Sequence, residues 1–345
     1  MTYAVAGALD LGLLADVGIR VVRISVLVAI GVFLANLAVE LGAVERVAGL
    51  SRHLTGPANL PDEAGTAILT TAASTTAGYG MLADFRESGY LSDRQTLVAV
   101  TINTFFGFVQ HIFTFYAPVL IPILGLEVGL LYVGSRALVA LGITLAGLVG
   151  GALLLSPPAD RTDTPDPDAA TDGGPLNDDS PDSLVAAARA AWASTRPKLR
   201  RIVPRLAVVY ALVAVAVATT DLQALAAAAN EPLAALLGLP PGTDPVEALL
   251  GLPSAAVPVV LVFAFDTTAG AATVAPLVGE TFTPLTAVAT MLVGGLVSLG
   301  VSTFKRSIPF QYGVWGPSFG SKVIVLNTSL KIVFIGATLA VLLWV

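Results

Sequence analysis

The 345-residue sequence contains no cysteine and only two histidines, His53 and His111. Without cysteine, the chain has no disulfide framework, thiolate metal site, iron–sulfur cluster or cysteine nucleophile. Two histidines provide few imidazole ligands for a metal centre. The sequence also lacks a phosphate-binding loop, a His-Glu metal motif and a nucleophile elbow. Nothing in it therefore indicates an enzyme or a resident cofactor.

Charge is scarce as well. Charged residues make up 12% of the chain, whereas 55% of the residues are hydrophobic and the mean hydropathy is +0.82. Soluble domains carry about 25% charged residues. The composition predicts an integral membrane protein whose partner is the lipid bilayer. No nucleic-acid partner is expected, and a homo-oligomer is compatible with the sequence.

The net charge of -6 comes from one segment. Residues 160–182 contain eight aspartates and a single basic residue, Arg161, interspersed with proline and glycine. Such a segment cannot bury a core and is typical of a solvated, disordered linker. The linker, with the basic juxtamembrane segment that follows it, covers 156–197 and divides the chain into halves 1–155 and 198–345.

Each half contains four charge-poor segments in the same order: 24–39, 64–83, 95–126 and 137–159, then 206–220, 248–265, 281–304 and 323–345. The peptide Thr75–Gly78 recurs 192 residues later as Thr267–Gly270, and Leu60-Pro61 recurs as Leu252-Pro253. These matches predict an internal duplication.

The second segment of each half is unsuited to face lipid, because it is rich in Ser, Thr, Gly and Pro. Broken backbone at membrane depth is tolerated only where protein or water satisfies its polar groups. We therefore expect two re-entrant helical hairpins, at about 58–86 and about 250–280.

The basic residues decide between hairpins and full spans. With hairpins, Arg46, Arg52, Arg86 and Arg94 lie on the same face as Lys305 and Lys322, which predicts a cytoplasmic face. With eight full spans this segregation is lost. The predicted fold is an all-α polytopic membrane protein of two inverted repeats, each with three transmembrane helices and a re-entrant helical hairpin. It would lie in the plasma membrane, with the linker cytoplasmic and both termini outside.

Several stretches resemble a known family. They are Gly56-Pro57, the segment Ser74–Gly80, the turn Gly89–Ser92 and the helix from Asn103 to Pro118. Together they resemble the nucleoside recognition (Gate) domain, which occurs in concentrative nucleoside transporters, in the membrane part of the ferrous iron transport protein B and in spore maturation proteins A and B. In the nucleoside transporters the paired hairpins and the unwound helices after them hold substrate and sodium, so the resemblance implies a site in the same neighbourhood here.

The hairpins supply the first candidate site residues. Hydroxyl groups and exposed backbone at hairpin tips bind anionic groups or cations at the bilayer midplane, at the interface of the repeats. These candidates are Ser74, Thr75, Thr76 and Gly78 in the first hairpin, and Asp266, Thr267, Thr268 and Gly270 in the second. The alternative is that these small residues only let helices approach closely.

Two charges interrupt apolar segments, Asp266 and Lys331. An ionisable residue inside a membrane segment usually faces a cavity or a partner. We hypothesise that the two residues pair, or that Asp266 is a proton or sodium site tuned by Lys331. A purely structural ion pair is the alternative.

Other polar residues lie on predicted helices. Asn103 and Gln110 are seven residues apart and share a helix face, which suits a solute pathway. Ser298 and Asn327 are weaker candidates in the second half, and His111 is interpreted as a structural residue that forms a hydrogen bond between helices. The aromatic residues Phe310, Tyr312, Trp315 and Phe319 are typical of an interfacial belt.

The sequence thus predicts a transporter or permease for a small polar solute, with nucleosides as one candidate and Na+ or H+ as the coupling ion. Two alternatives stay open: a non-transporting membrane scaffold of the spore-maturation type, and a metal-ion permease. The absence of cysteine and the presence of only three methionines argue against a soft-ligand metal path.

Overall fold

The computed structural model describes most of the chain. It covers 18–41 with gaps at 20, 24, 27–28, 31–32, 35 and 38–39, and then 55–156, 183–219, 228, 231–232, 234–236 and 238–344. The acidic segment, Arg46, Arg52 and much of the predicted first span therefore lie outside the described residues.

Within the described residues the protein is helical and has no strand, and one isolated bridge joins Val278 to Phe282. Four of the described helices are long and apolar enough to cross a bilayer: Asp93–Leu124, Leu126–Leu154, Pro284–Ser302 and Ile308–Trp344. The prediction of an all-α, multi-pass membrane protein is confirmed at this level. The two further predicted spans, 24–39 and 206–220, fall on segments whose residues or side chains are described only in part.

After the partly described helical residues between 18 and 40, the first half continues with two short helices. Its elements are α1 (Asp62–Ala73), α2 (Thr75–Glu87), α3 (Asp93–His111), a π-helical segment (Ile112–Leu120), α4 (Ile121–Leu124) and α5 (Leu126–Leu154). A capping box formed by Ser92 and Gln95 starts α3. Pro118 lies in the π-helical segment, where the wider ladder accommodates a residue that has no N–H to donate.

The second half repeats this series after a long connecting helix. Its elements are α6 (Leu184–Thr219), α7 (Pro245–Leu250), α8 (Ala256–Phe265), α9 (Thr267–Val274), a 3-10 turn (Ala275–Leu277), α10 (Pro284–Ser302), a π-helical segment (Thr303–Ser307) and α11 (Ile308–Trp344). A bend at Gly316, with φ of 72°, divides α11 in two.

Backbone geometry matches between the halves at the points where the helices break. Ser74 has φ -146° and ψ 110°, and Asp266, 192 residues later, has φ -148° and ψ 118°. Both α3 and α10 are 19 residues long, begin with a capping box and continue into a π-helical segment. Gly125 (φ 81°, ψ 166°) corresponds to Gly316 (φ 72°, ψ 167°). The similarity of the halves therefore extends well beyond the short sequence matches.

Helix boundaries differ from the predicted segments where a charge interrupts the hydropathy. The segment predicted to begin at residue 137 belongs to α5, which begins at Leu126 and places Arg136 well inside the helix. The last span, predicted from 323, extends back to the bend at Gly316. A charged side chain ends a hydropathic window, but it does not end a helix, because the backbone hydrogen bonds continue past it.

Each half packs on the other through its two short helices. The first helix pair, α1 and α2, shares one core with Trp315, Phe319 and Val323 of the second half. The second helix pair, α8 and α9, shares the other core with Phe108, Tyr116 and further apolar residues of the first half up to Ile143. Helix α2 contacts α11, and α9 contacts both α4 and the first π-helical segment. The halves are therefore interlocked.

An ion cluster joins the halves where α3 begins. Asp93 Oδ1 lies 2.8 Å from Arg86 Nε, and Asp93 Oδ2 lies 3.0 Å from Lys322 Nζ. The guanidinium of Arg86 also lies 4.0 Å above the ring of Phe319. The end of α2, the start of α3 and the part of α11 just after Gly316 therefore lie at one end of the molecule.

Candidate solute site

The tip of the first helix pair is fixed by its own hydroxyl groups. Ser74 is extended, and its Oγ accepts a hydrogen bond of 3.3 Å from the N–H of Ala77, which caps α2. Thr75 Oγ1 donates to Oε1 of Gln110 at 3.0 Å. The neighbouring Thr76 is exposed. The predicted tip residues thus contact α3 through Thr75 and present a hydroxyl through Thr76.

Gly78 shows that α2 folds back over α1. A Cβ added at this position would lie 2.7 Å from the carbonyl oxygen of Ala67 and 2.8 Å from the nitrogen of Thr71. Residues 67 and 78 would be about 16 Å apart in a straight helix. In the second pair, a Cβ on Gly270 would lie 2.5 Å from Cα of Phe263. Both glycines are required because the two helices of each pair are in backbone contact.

The predicted polar face of α3 borders the first helix pair. Gln110 bonds to Thr75, and the Cβ position of Gly107 lies 3.8 Å from Cγ2 of Thr71. Asn103 is on the same face of α3. It is 1% exposed, and neither atom of its amide makes a hydrogen bond. An unsatisfied buried polar group costs about 1–3 kcal/mol, so Asn103 is suited to bind a polar ligand.

Two amides of α11 meet the same helix pair one turn further along α2. The Tyr79 hydroxyl interacts with the side chains of Gln311 and Asn327. Asn327 Oδ1 is buried and has no hydrogen-bond partner. We call Thr75, Tyr79, Gln110, Gln311 and Asn327 the amide cluster. It gathers amides from both halves around α2 and is suited to hydrogen-bond an uncharged polar group.

Sequence reasoning did not single out Tyr79 or Gln311. The aromatic belt predicted nearby is wrong for Trp315 and Phe319, which are 6% and 2% exposed and lie in the core with the first helix pair. The Trp315 indole N–H donates to Gln311 Oε1 at 2.7 Å. The four-residue spacing of Gln311 and Trp315 was the available signal, because it places them on one helix face.

His111 also differs from its interpretation as a bridge between helices. Its Nδ1 lies 2.8 Å from the carbonyl oxygen of Gly107 within α3, and its ring is exposed. His111 therefore forms its hydrogen bond within its own helix and not between helices.

The tip of the second helix pair carries an acid where the first carries Ser74. Asp266 Oδ1 accepts a hydrogen bond of 2.9 Å from the N–H of Ala269 and caps α9. Thr267 and Thr268 beside it are half-buried, and so is Ser298 on α10. This tip is therefore a polar site with one carboxylate, held against the opposite half.

Two cations lie inside the spans near this second pair. Arg136 on α5 and Lys331 on α11 are both half-buried. Arg136 interacts with the side chains of Tyr116 and Tyr132, and its Nη1 is 3.8 Å from the Cβ position of Gly295 on α10. The charge of Arg136 acts on Lys331. Lys331 thus has another cation as its charged neighbour, where the sequence suggested Asp266.

Helix α11 connects the amide cluster to this cation pair. Asn327 and Lys331 are four residues apart and share one face, about 6 Å apart along the helix. Arg136 and Asn327 also hold equivalent positions, 191 residues apart in the chain. Within the described residues the two helix pairs form no extensive interface with each other. The candidate site is therefore organised along α11.

No family model matches the chain, and no solved structure matches it. Two uncharacterized proteins of Methanocaldococcus jannaschii are similar to part of it. MJ0871 is 31% identical over 135 residues, which is 39% of this chain and 41% of that protein. MJ0880 is 25% identical over 130 residues, which is 37% of this chain and 42% of that protein. The chain spans less than half of either relative, and neither name states a function.

Proposed function

We propose that the protein is a membrane transporter for a small polar solute, built as two inverted repeats whose helix pairs are re-entrant hairpins of the Gate type. The observation that carries this proposal is the amide cluster, together with the unsatisfied amide of Asn103 and the unsatisfied amide oxygen of Asn327. Polar groups within apolar spans are costly and generally serve a pathway.

Re-entry of the first pair is supported by contacts at both of its ends. Before α1, Asn59 Nδ2 donates to the carbonyl oxygen of Leu155 at 2.9 Å, just past the end of α5. After α2, Arg86 pairs with Asp93 at the start of α3. Since α5 returns across the bilayer that α3 and α4 crossed, both ends of the first pair lie on one membrane face and its tip lies within.

Inversion is supported by the positions of the two glycine turns. Gly125 follows the span that Asp93 begins, so it lies at the opposite end of that span from Asp93. Gly316 lies six residues before Lys322, which pairs with Asp93. Equivalent turns therefore lie at opposite ends of the molecule. Alternating access in transporters with inverted repeats rocks one such half against the other.

The second tip is the proposed position of the coupling ion. Asp266 is the charged member of this tip, and its carboxylate suits a sodium ion or a proton. We place the face that carries Arg86, Arg94 and Lys322 in the cytoplasm, by the excess of basic residues there. Nucleosides remain one candidate among the polar solutes that amides recognise.

A cysteine scan separates a transporter from a packed scaffold, because the chain has no cysteine of its own. Thr76→Cys at the exposed tip is expected to react with a membrane-impermeant maleimide in proteoliposomes, since a transporter admits water to the tip. Leu138→Cys is the matched control: its parent side chain is 64% exposed on α5, where lipid would cover it and hold the thiol un-ionised. Equal protection at both positions would contradict the transporter proposal.

A further inference from the structure

Arg136 and Lys331 are two like charges inside apolar helices. Among the described residues, the ion pairs recorded for lysine and arginine join Arg86 and Lys322 to Asp93, and neither Arg136 nor Lys331 forms one. Removing a charge from water costs several kcal/mol unless a partner compensates it. Tyr116 and Tyr132 give Arg136 uncharged partners, so no carboxylate of the described residues compensates the positive charge of the pair.

Both cations lie well inside their helices. Arg136 is eleven residues beyond Gly125 and Lys331 is fifteen beyond Gly316, or about 16 Å and 22 Å of helix from turns at opposite ends of the molecule. A hydrocarbon core is about 30 Å thick. Arg136 is also eighteen residues before the end of α5 and Lys331 thirteen before the end of α11, so neither residue is close to an end of its helix.

We propose that Arg136 and Lys331 bind the oxyanion group of the solute, a carboxylate or a phosphate, while the amide cluster binds its uncharged polar part. This inference rests on the proposed function and names the substrate class of the same site. A guanidinium binds an oxyanion through two parallel hydrogen bonds, and an ammonium adds a point charge. The four-residue spacing of Asn327 and Lys331 places the two parts of the solute about one helical turn apart.

The chemistry of the second half supports an anion over a neutral solute alone. The position equivalent to Arg136 is Asn327, an uncharged amide in contact with Tyr79. At this pair of equivalent positions, one half therefore carries a positive charge and the other a hydrogen-bonding amide. A solute with a polar end and an anionic end matches both.

Binding to the purified full-length protein tests this site independently of transport. The probes are inorganic phosphate, succinate and the uncharged succinamide, each titrated against the thermal unfolding of protein in phosphatidylcholine nanodiscs. At least one of the two oxyanions is expected to raise Tm saturably, and succinamide is expected to have no comparable effect. Arg136→Gln and Lys331→Gln are each expected to weaken oxyanion binding at least about tenfold.

Arg94→Gln is the matched control, since Arg94 is exposed at the start of α3, and it should bind like the parent protein. Arg136→Lys keeps the positive charge but loses the two parallel donors of the guanidinium, so it should bind the oxyanion with intermediate affinity. This variant keeps the proposal testable if Arg136→Gln fails to fold. No Tm shift with either oxyanion, or equal shifts in the parent and both Gln variants, would overturn the proposal. A response to phosphatidylglycerol in the nanodisc, with none to either soluble oxyanion, would assign the cations to a lipid headgroup and also overturn it.

Uptake measurements in proteoliposomes distinguish failure of this inference from failure of the proposed function. Saturable oxyanion binding without uptake of radiolabelled phosphate or succinate into proteoliposomes would retain the anion site and argue against transport. Uptake of radiolabelled uridine without oxyanion binding would retain transport and reject the anion site.

Discussion

Close contact between helices depends on single glycine residues in this protein, and Gly78 is a clear example. Its missing side chain lets α2 lie against the backbone of α1 at Ala67 and Thr71. The neighbouring Gly80 has nothing within 4 Å of its Cβ position. Two glycines on one short helix therefore have different roles, and sequence alone gives them the same weight.

Replacing Gly78 by alanine is expected to lower the unfolding temperature of the purified protein. The added methyl group would overlap backbone atoms, and overpacking of this kind costs about 1–3 kcal/mol. Gly80→Ala is expected to be neutral or slightly stabilising, because alanine is the better helix former. Similar unfolding temperatures for the two variants would show that α1 and α2 are not in backbone contact.

Replacing Lys331 by methionine is expected to stabilise the ligand-free protein, on the order of 2 kcal/mol, because it removes one of two like charges that no carboxylate of the described residues compensates. Lys322→Met should act in the opposite direction by up to about 1 kcal/mol, since it breaks an exposed ion pair with Asp93. Thermal unfolding in a buffer without phosphate or carboxylates measures the stability change in both variants. A loss of stability in Lys331→Met larger than that in Lys322→Met would contradict the description of the cation pair.

At the scale of elements, each helix pair depends on a capped break. Ser74 and Asp266 adopt the same extended conformation and cap the next helix in the same way. A hydroxyl and a carboxylate are comparably good N-caps. The break therefore needs a cap, and the cap does not require the negative charge that Asp266 brings to the second break.

Substitutions at Asp266 separate the cap from the charge. Asp266→Ser is expected to leave the unfolding temperature near that of the parent, and Asp266→Ala to cost about 1 kcal/mol through the lost cap. Thermal unfolding with and without Na+ provides the second readout, and any stabilisation by Na+ should be absent from both variants. Equal destabilisation by Ser and Ala would show that the charge, and not the cap, holds this break.

The apolar spans and the breaks could be predicted from sequence, because both depend on local chemistry. Runs without charge indicated the spans, and the clusters of Ser, Thr and Gly indicated the breaks at Ser74 and Asp266. Helix ends were harder, since Arg136 interrupts a hydropathic run without interrupting backbone hydrogen bonds. The pattern of Phe310, Tyr312, Trp315 and Phe319 suggested a bilayer surface, but another helix pair covers Trp315 and Phe319.

At the scale of the whole molecule, the interlock between the halves was beyond sequence reasoning. Helix periodicity tells which residues share a face, but it does not tell what that face meets. Asn103 and Gln110 were therefore found as a polar stripe, while Tyr79 and Gln311 became visible only when α2 was placed against α11. For the same reason Arg136 was not recognised as a charged neighbour of Lys331.

The inverted arrangement of the halves is the central claim, and the sidedness of two exposed acids tests it most directly. Glu87 precedes α3 and Glu280 precedes α10, so they hold equivalent places in the two halves, and both are exposed. Glu87→Cys and Glu280→Cys would each introduce the single thiol of the chain, to be labelled with an impermeant maleimide in oriented membrane vesicles. Inverted repeats predict labelling from opposite sides, Glu87→Cys from the cytoplasmic face and Glu280→Cys from outside. Labelling of both from one side would contradict the account.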